Sequence, residues 1–342
     1  MSAAMPRVSV VIPSYNHAAF IGEAVHSVLT QTLTDLELLV IDDGSRDGSL
    51  AVLRGIDDAR LRIVAQANQG AHAAINAGLA MARGAVLAVL NSDDAYHPER
   101  LARLLAVLDA TPDAGLVGSH IEVVDAQGRR LGIKHGPRDL EPWPLPHPER
   151  SFRRGDDLRA TLLTENFWST SSNFILRRAL WERLGPMRPL RFTHDWDFAL
   201  RAAGVAASVL LPEALLRYRV HHHNTIRADR AGMVFEICWC LAVHLPQHLA
   251  DRAWAGAAPP ATRVEQLLHS IHAFGCERVL AVMLLERLHE RPEAALALLD
   301  RDEARRARYL AFIEETLAEA GGTEPPPSPR RGRLSGWLRR RG

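Results

Sequence analysis

The sequence predicts an α/β fold built on a mostly parallel sheet flanked by helices. Three observations point there: short β-branched runs alternate with helical periodicity from Val8 to Val124, the runs are apolar enough to be buried on both faces, and polar residues gather where each run stops. Taken in order, the strand VSVVIP precedes a helix over 18–31, LELLVIDD precedes one over 45–54, and LRIVAQ precedes one over 71–82. The run AVLAVLN then leads to a helix over 98–108, and GLVGSHIEVVD closes the series as a fifth strand. Repeated strand–helix–strand units imply parallel neighbours joined by right-handed crossovers.

Residues 126–165, rich in Pro, Arg and Gly, read as a long excursion. Order resumes in FWSTSSNFILRRALWERLG, a strand leading into a helix, then in THDWDFALRAAG, a helix opened by acidic residues, and in the strand ASVLLPEALLRYRV. Beyond Asn224 the pattern is mainly helical, notably over 233–245 and 264–290, with Pro259-Pro260 as a break. The chain therefore divides into an α/β domain over 1–225, a helical region over 226–322 and a Pro/Arg-rich tail over 323–342. In that tail six Arg oppose Glu324 alone. Its Arg clusters around Leu334, Trp337 and Leu338 suit a flexible arm that touches anionic membrane lipid, with a solvated tail lacking any partner as the alternative.

With 342 residues, 47% of them apolar and 24% charged, the chain can bury a sizeable core, and a formal charge of +1 argues against nucleic acid as a partner. Cys238, Cys240 and Cys276 form neither a disulfide framework nor a CxxC metal pair, which fits a reducing cytoplasm. The N-terminus lacks a charged segment followed by a long apolar one, and no run of 18 apolar residues occurs. The expected location is cytoplasmic, with the tail as a peripheral contact at the inner face of the cell membrane.

Ligands in such sheets lie beyond the carboxyl ends of the strands. Those ends read Pro13-Ser14-Tyr15-Asn16, Asp42-Asp43-Gly44-Ser45, Asn68-Gln69-Gly70 and Asn91-Ser92-Asp93-Asp94, which suggests a single cleft. Two adjacent carboxylates repel each other unless a cation or hydrogen-bond donors hold them. Carboxylate oxygens suit Mg²⁺ or Mn²⁺, with phosphates and water completing the shell, so Asp93 and Asp94 fit a metal-diphosphate site; capping the next helix is their simpler use. Tyr15 can lay its ring on a planar base, and Asp43 can accept from a base or ribose edge. Neither GxGxxG nor GxxxxGK[ST] is present after the first strand, which disfavours dinucleotide and P-loop sites.

The sequence resembles the inverting family 2 glycosyltransferases of the GT-A fold. The resemblance rests on VSVVIPSYNHAAFIGEAVHSVLTQTLTDLELLVIDDGSRDGS, NQGAHAAINAGLAMARGAVLAVLNSDDAYHPERL and ILRRALWERLGPMRPLRFTHDWDFALRAAG, spanning residues 7 to about 225. It implies a nucleotide-sugar donor and a glycan or lipid-linked glycan acceptor. It also implies that Tyr15 stacks on the base, Asp43 bonds it, Pro13 shapes the pocket, and Asn16, Asn68 and Gly70 line the donor. Asp93 would lie near the ribose or metal and Asp94 on Mn²⁺ or Mg²⁺. Asp195 matches the general base, although His194 stands where the family more often has Glu, and no Arg follows Gly70 to bind phosphate.

In RYRVHHHNTI, Tyr218, Arg219 and His221 match the Tyr-Arg-x-His that similar enzymes often carry, and the resemblance implies His221 at the diphosphate or metal; a tetrahedral zinc site is the competing reading, and His222 and His223 are weaker candidates. Ser171, Ser172 and Asn173 read as an acceptor-facing turn. The implied chemistry is a single displacement at the anomeric carbon, with the metal on the departing diphosphate and a carboxylate taking the acceptor proton. A nucleotidylyltransferase would want a basic, Gly-rich phosphate loop after the first strand, which SYNHAAF lacks. The remaining alternative is a nucleotide-sugar-binding or scaffold protein of the same fold that has lost turnover.

Overall fold

The computed structural model describes residues 5–134, 140–141, 162–163, 166–221, 229–250 and 277–319. The tail over 323–342, much of the 126–165 excursion, Pro259-Pro260, His222 and His223 lie outside the described residues. One mixed sheet comprises β1 (Val8–Ser14), β2 (Leu36–Asp42), β3 (Leu61–Ala65), β4 (Val86–Val89), β5 (Ala95–Tyr96), β6 (Ala114–Asp125), β7 (Arg130–Lys134), β8 (Leu140–Glu141), β9 (Ile175–Arg177) and β10 (Ala207–Val220). The path runs β3-β2-β1-β4-β9-β6-β10-β5, with β7 and β8 continuing from β6. Strands β3, β2, β1 and β4 are mutually parallel, as are β6 and β10. Short β9 enters antiparallel between β4 and β6.

The helices of the α/β part are α1 (Ile21–Leu29), α2 (Ser49–Arg54), α3 (Ala71–Met81), α4 (Arg100–Ala110), α5 (Arg178–Leu184) and α6 (His194–Ala203). The helix expected from residue 45 begins only at Ser49. Asp42 Oδ1 accepts from the Ser45 N–H at 3.0 Å and Asp47 Oδ1 from the Ser49 N–H at 2.9 Å, so two carboxylates hold the intervening residues as turns. The helical region follows as α7 (Arg230–Ala250), α8 (Glu277–Leu285), α9 (Pro292–Asp300) and α10 (Glu303–Glu319). Among the described residues no helix is long and apolar enough to cross a membrane.

Strand alternation sends β1 and β2 side chains to opposite faces. Val10, Ile12, Leu38 and Val40 pack with Ile21, Val25 and Val28 of α1, while Val11, Leu39 and Ile41 pack with Ile75 and Leu79 of α3. The second face is the closer fit: a Cβ on Gly78 would stand 2.3 Å from Val11 Cγ1, so α3 seats on β1 only with glycine there. Its apolar cluster continues through Phe174, Trp196 and Phe198 into Phe235 and Trp239 of α7, joining the helical region to the sheet's core. Each large side chain buried this way contributes about 1.5–3 kcal/mol. Strand order reverses at β1, between β2 and β4, and the crevice at such a switch point is where sheets of this kind receive ligands.

Candidate active site

At the end of β1 the backbone of Pro13 and Ser14 is buried, but Tyr15 is 45% exposed and its ring is open to a planar ligand. Asn16 has a different task. It adopts a left-handed φ of 54°, its N–H donates to Ser45 Oγ at 3.0 Å, and its Oδ1 accepts from the Arg46 N–H at 2.8 Å. Asn16 thus pins the β2 loop beside the strand tip. Asp43, 2% exposed, binds the β3–α3 loop: its Oδ1 accepts from Gln66 Nε2 (2.8 Å) and the Gln69 N–H (2.9 Å), and its Oδ2 from the Gly70 N–H (2.8 Å). Three of about four acceptor positions on that carboxylate are filled, leaving one on Oδ2. Gly70 makes the turn into α3 at φ +90°, which favours glycine, and Asn68 is exposed beside it.

The β4 tip separates its two acids. Asp94, 2% exposed, turns inward: Ser172 Oγ donates to its Oδ2 at 2.6 Å and the Arg219 N–H to its Oδ1 at 2.9 Å. Burial, reinforced by the negative charge of Asp93, pushes the Asp94 carboxyl well above the usual range despite those donors. Each Asp94 oxygen keeps a free lone pair, and the grouping of possible metal ligands at this tip comprises Asp93 with two histidines and not Asp94. Asp93 faces the other way. Its Oδ2 lies 2.9 Å from His221 Nε2, and ligand atoms of His17, Asp93 and His221 all fall within 4.8 Å of one another.

His17 came from no sequence argument, although it stands two residues past Tyr15 at a strand end. Its Nδ1 lies 2.7 Å from Ser92 Oγ, and its ring meets that of His221 edge-on at 5.7 Å. Phe20 stacks on His221 at 5.0 Å. Arg219, 3% exposed, braces this arrangement: it donates to the Asp93 carbonyl at 3.0 Å and to Glu23 at 2.6 Å, with its guanidinium over the Phe20 ring. The arginine that holds Asp93 thus lies near the end of β10, and His221 follows immediately after that strand.

Ser171, Ser172 and Asn173 form a 3₁₀ turn and are at most 2% exposed, so they do not present an acceptor-facing surface. They brace β4 instead. Ser171 Oγ donates to Asn91 Oδ1 at 3.0 Å, Ser172 Oγ accepts from the Asn91 N–H at 2.9 Å, and Asn173 Oδ1 accepts from buried Arg100 at 3.0 Å. A polar run this well supplied with buried partners satisfies the requirement that buried polar groups be hydrogen-bonded.

Asp195 is the second residue of α6, at 7% exposure, and its Oδ1 accepts from the Trp196 N–H at 2.7 Å. Asp197 is sealed completely. Burial alone would raise it, but the hydrogen bond from His244 and the charges of Arg201 and Arg188 outweigh burial and hold it well below the usual carboxylate range. The two acid sets share one neighbour: burial first, then the negative charges of Asp94, Asp93 and Asp195, push the Tyr218 hydroxyl well up. Asp93 with His17 and His221 stands at the loop ends of β1 and β4, a set that can hold a cation, and Asp195 stands at the start of α6, where a carboxylate can take a proton.

The chain belongs to glycosyl transferase family 2, whose model matches residues 9–185. An uncharacterized glycosyltransferase of Nostoc sp. is 31% identical over 228 residues, 64% of this chain and 66% of that protein. Succinoglycan biosynthesis protein ExoO of Rhizobium meliloti is 39% identical over 128 residues, 37% of this chain and 36% of that protein. The chain thus aligns with less than two thirds of the length of either relative. Crystal structures of S. aureus TarS share the fold, the 1–349 form at a TM-score of 0.56 and 19% identity over 92% of both chains. A further neighbour is a mannosyltransferase of Pyrobaculum calidifontis in complex with GDP-Man and Mn²⁺, at 0.50 and 20% identity over 94% of this chain and 89% of that one.

Proposed function

We propose that the chain moves a sugar from a uridine diphosphate donor to a hydroxyl of a glycan or lipid-linked glycan, in one inverting displacement, during cell-surface polysaccharide synthesis at the inner face of the membrane. The observation that carries this reading is Asp93 set against two imidazoles at the β4 tip. TarS has been solved with UDP-GlcNAc, and the Pyrobaculum neighbour with GDP-Man and Mn²⁺, which supports a nucleotide-sugar donor and a divalent ion. The succinoglycan relative supports a polysaccharide product.

The donor set of His17, Asp93 and His221 fits a divalent ion chemically. Two nitrogens with one carboxylate favour Mn²⁺ over Mg²⁺, which prefers an all-oxygen octahedron. When bound there, the ion supplies positive charge beside the departing diphosphate. The remaining work falls to the chain. Tyr15 stacks on the uracil, and the open acceptor position on Asp43 Oδ2 takes a base N–H. Asp195 accepts the proton of the acceptor hydroxyl as its oxygen bonds to the anomeric carbon; the bond from that carbon to the diphosphate breaks and its electron pair leaves on a phosphate oxygen. Attack opposite the leaving group inverts the centre.

Thermal shift with UDP, GDP and Mn²⁺ tests the reading. UDP with Mn²⁺ is expected to stabilise the fold more than either alone, reaching about 2.7 kcal/mol over the ligand-free protein at a hundred times Kd. Asp93→Ala is expected to abolish the Mn²⁺-dependent part. A response to GDP in place of UDP would overturn the uridine assignment, and no response to either nucleotide would overturn the whole reading.

A further inference from the structure

Helix α7 carries Glu236, Cys240 and His244 at intervals of four, so the three lie along one face. That face meets the Asp195 segment at two points. Glu236, 2% exposed, accepts the N–H of Arg191 on Oε1 at 2.8 Å, and those of Phe192 and Thr193 on Oε2 at 2.7 and 3.0 Å. These three consecutive donors end immediately before α6, whose second residue is Asp195. Two turns along α7, His244 Nε2 lies 2.9 Å from Asp197 Oδ1. Between the anchors sits the Cys240 thiol, which burial and the charges of Asp197, Glu236 and Asp195 push well above its usual range. An ionised side chain in such a place is costly unless donors meet it, and here one carboxylate takes a run of backbone N–H groups that carries no other described partner.

Asp195 itself has little to fix it: among the described hydrogen bonds its carboxylate accepts only from the Trp196 N–H in its own segment. Its position therefore follows the backbone at 191–195, three of whose N–H groups Glu236 accepts. We propose that Glu236, with His244 as a second anchor, is a positioning residue for Asp195, so that the helical region is a working part of the transfer centre. The inference rests on Asp195 being the proton acceptor. It predicts that loosening α7 moves the base without disturbing the donor pocket, which is built from β1, β2, β4 and β10.

The test uses the full chain with Glu236→Ala, Glu236→Gln, Asp195→Asn and the double variant Asp195→Asn/Glu236→Ala. Amide hydrogen exchange is followed over 191–197. Turnover is read as nucleotide release from UDP-GlcNAc, UDP-glucose or GDP-mannose, using the donor that the wild type consumes fastest. Glu236→Ala is expected to speed exchange at 191–197 and to cut kcat by about 10²-fold, the usual cost of misplacing a catalytic group by an ångström. Donor KM is expected to stay within about twofold, because the lost interaction serves only the transition state. Glu236→Gln keeps one oxygen for the Phe192 and Thr193 donors and is expected to recover about tenfold of the loss.

Added to Asp195→Asn, Glu236→Ala is expected to cost nothing more, since both act through one group. Unchanged exchange at 191–197 in Glu236→Ala, or a full further loss in the double variant, would overturn the inference. Wild-type turnover by Asp195→Asn would instead remove the base assignment, while the exchange result still decides whether Glu236 holds the segment.

Discussion

Asp93-Asp94 after β4 and Asp195 with Asp197 at the start of α6 follow one plan with opposite electrostatics. In each set one acid is sealed into the protein, Asp94 at 2% exposure and Asp197 at 0%, and the other is left with few partners. The sealed acids differ in what meets them. Asp94 is met by a hydroxyl and a backbone N–H, and burial with the charge of Asp93 outweighs them and the charge of Arg219, so its carboxyl is pushed up; Asp197 is met by two guanidiniums and an imidazole, which outweigh burial, so its carboxyl is pulled down. Full burial thus does not decide whether an acid stays ionised; the kind of partner does.

The comparison is sharpened most by the acid that is not sealed. Asp195→Asn is expected to lower transfer by about 10²–10⁴-fold, the usual worth of a general base, while leaving UDP binding and the unfolding midpoint unchanged. Steady-state kinetics with a calorimetric binding control reads both. A loss of binding equal to the loss of rate would place Asp195 in the donor pocket instead.

Among the sealed acids Asp197 is expected to matter most to stability. Asp197→Asn leaves Arg188, Arg201 and His244 without their shared counter-charge and should cost about 3–5 kcal/mol in urea unfolding at pH 7. The pH trend follows from the depressed carboxyl. Because the folded state holds this group ionised below the range where the unfolded chain takes up a proton, its stabilisation is complete above about pH 4 and is lost as pH falls further. The gap between wild type and Asp197→Asn should therefore be constant from about pH 7 to 5 and narrow towards pH 3. A gap that widens on acidification would contradict the ion-pair account.

How much of this was legible in the sequence differs between the two sites for physical reasons. Alternation of apolar strand and amphipathic helix gave the sheet, and the rule of reading strand ends first led to Tyr15, Asp43 and Asp93. Asp93 and Asp94 lie in the turn between β4 and β5, where no period says which one turns inward; that depends on Ser172 and Arg219, far along the chain. His17 pairs with His221 across most of the domain, a separation without any spacing signal. The reversed strand β9 has three residues, too few for a period to show. Glu236 did leave a mark, as the lone acid in the apolar run MVFEICWCLAVHL, yet its partners are backbone N–H groups that no residue type identifies. Ser171–Asn173 reads as a surface turn because polarity in a sequence does not reveal buried partners.

The smallest expected effect is the same acid-to-amide change made at the other sealed carboxyl. Because burial biases Asp94 towards its protonated form, an amide of equal size reproduces much of what the folded state already holds there. One amide oxygen can still accept from Ser172 Oγ or from the Arg219 N–H, and the other donor loses its acceptor. Asp94→Asn should therefore cost about 1 kcal/mol in urea unfolding, the usual net worth of one hydrogen bond, against the several expected for Asp197→Asn. Mn²⁺ binding should survive it, since Asp93 and the two imidazoles remain in place. Equal losses of stability in the two amide variants would mean that both acids are held ionised by their surroundings, and the contrast between neutral and cationic partners would fall.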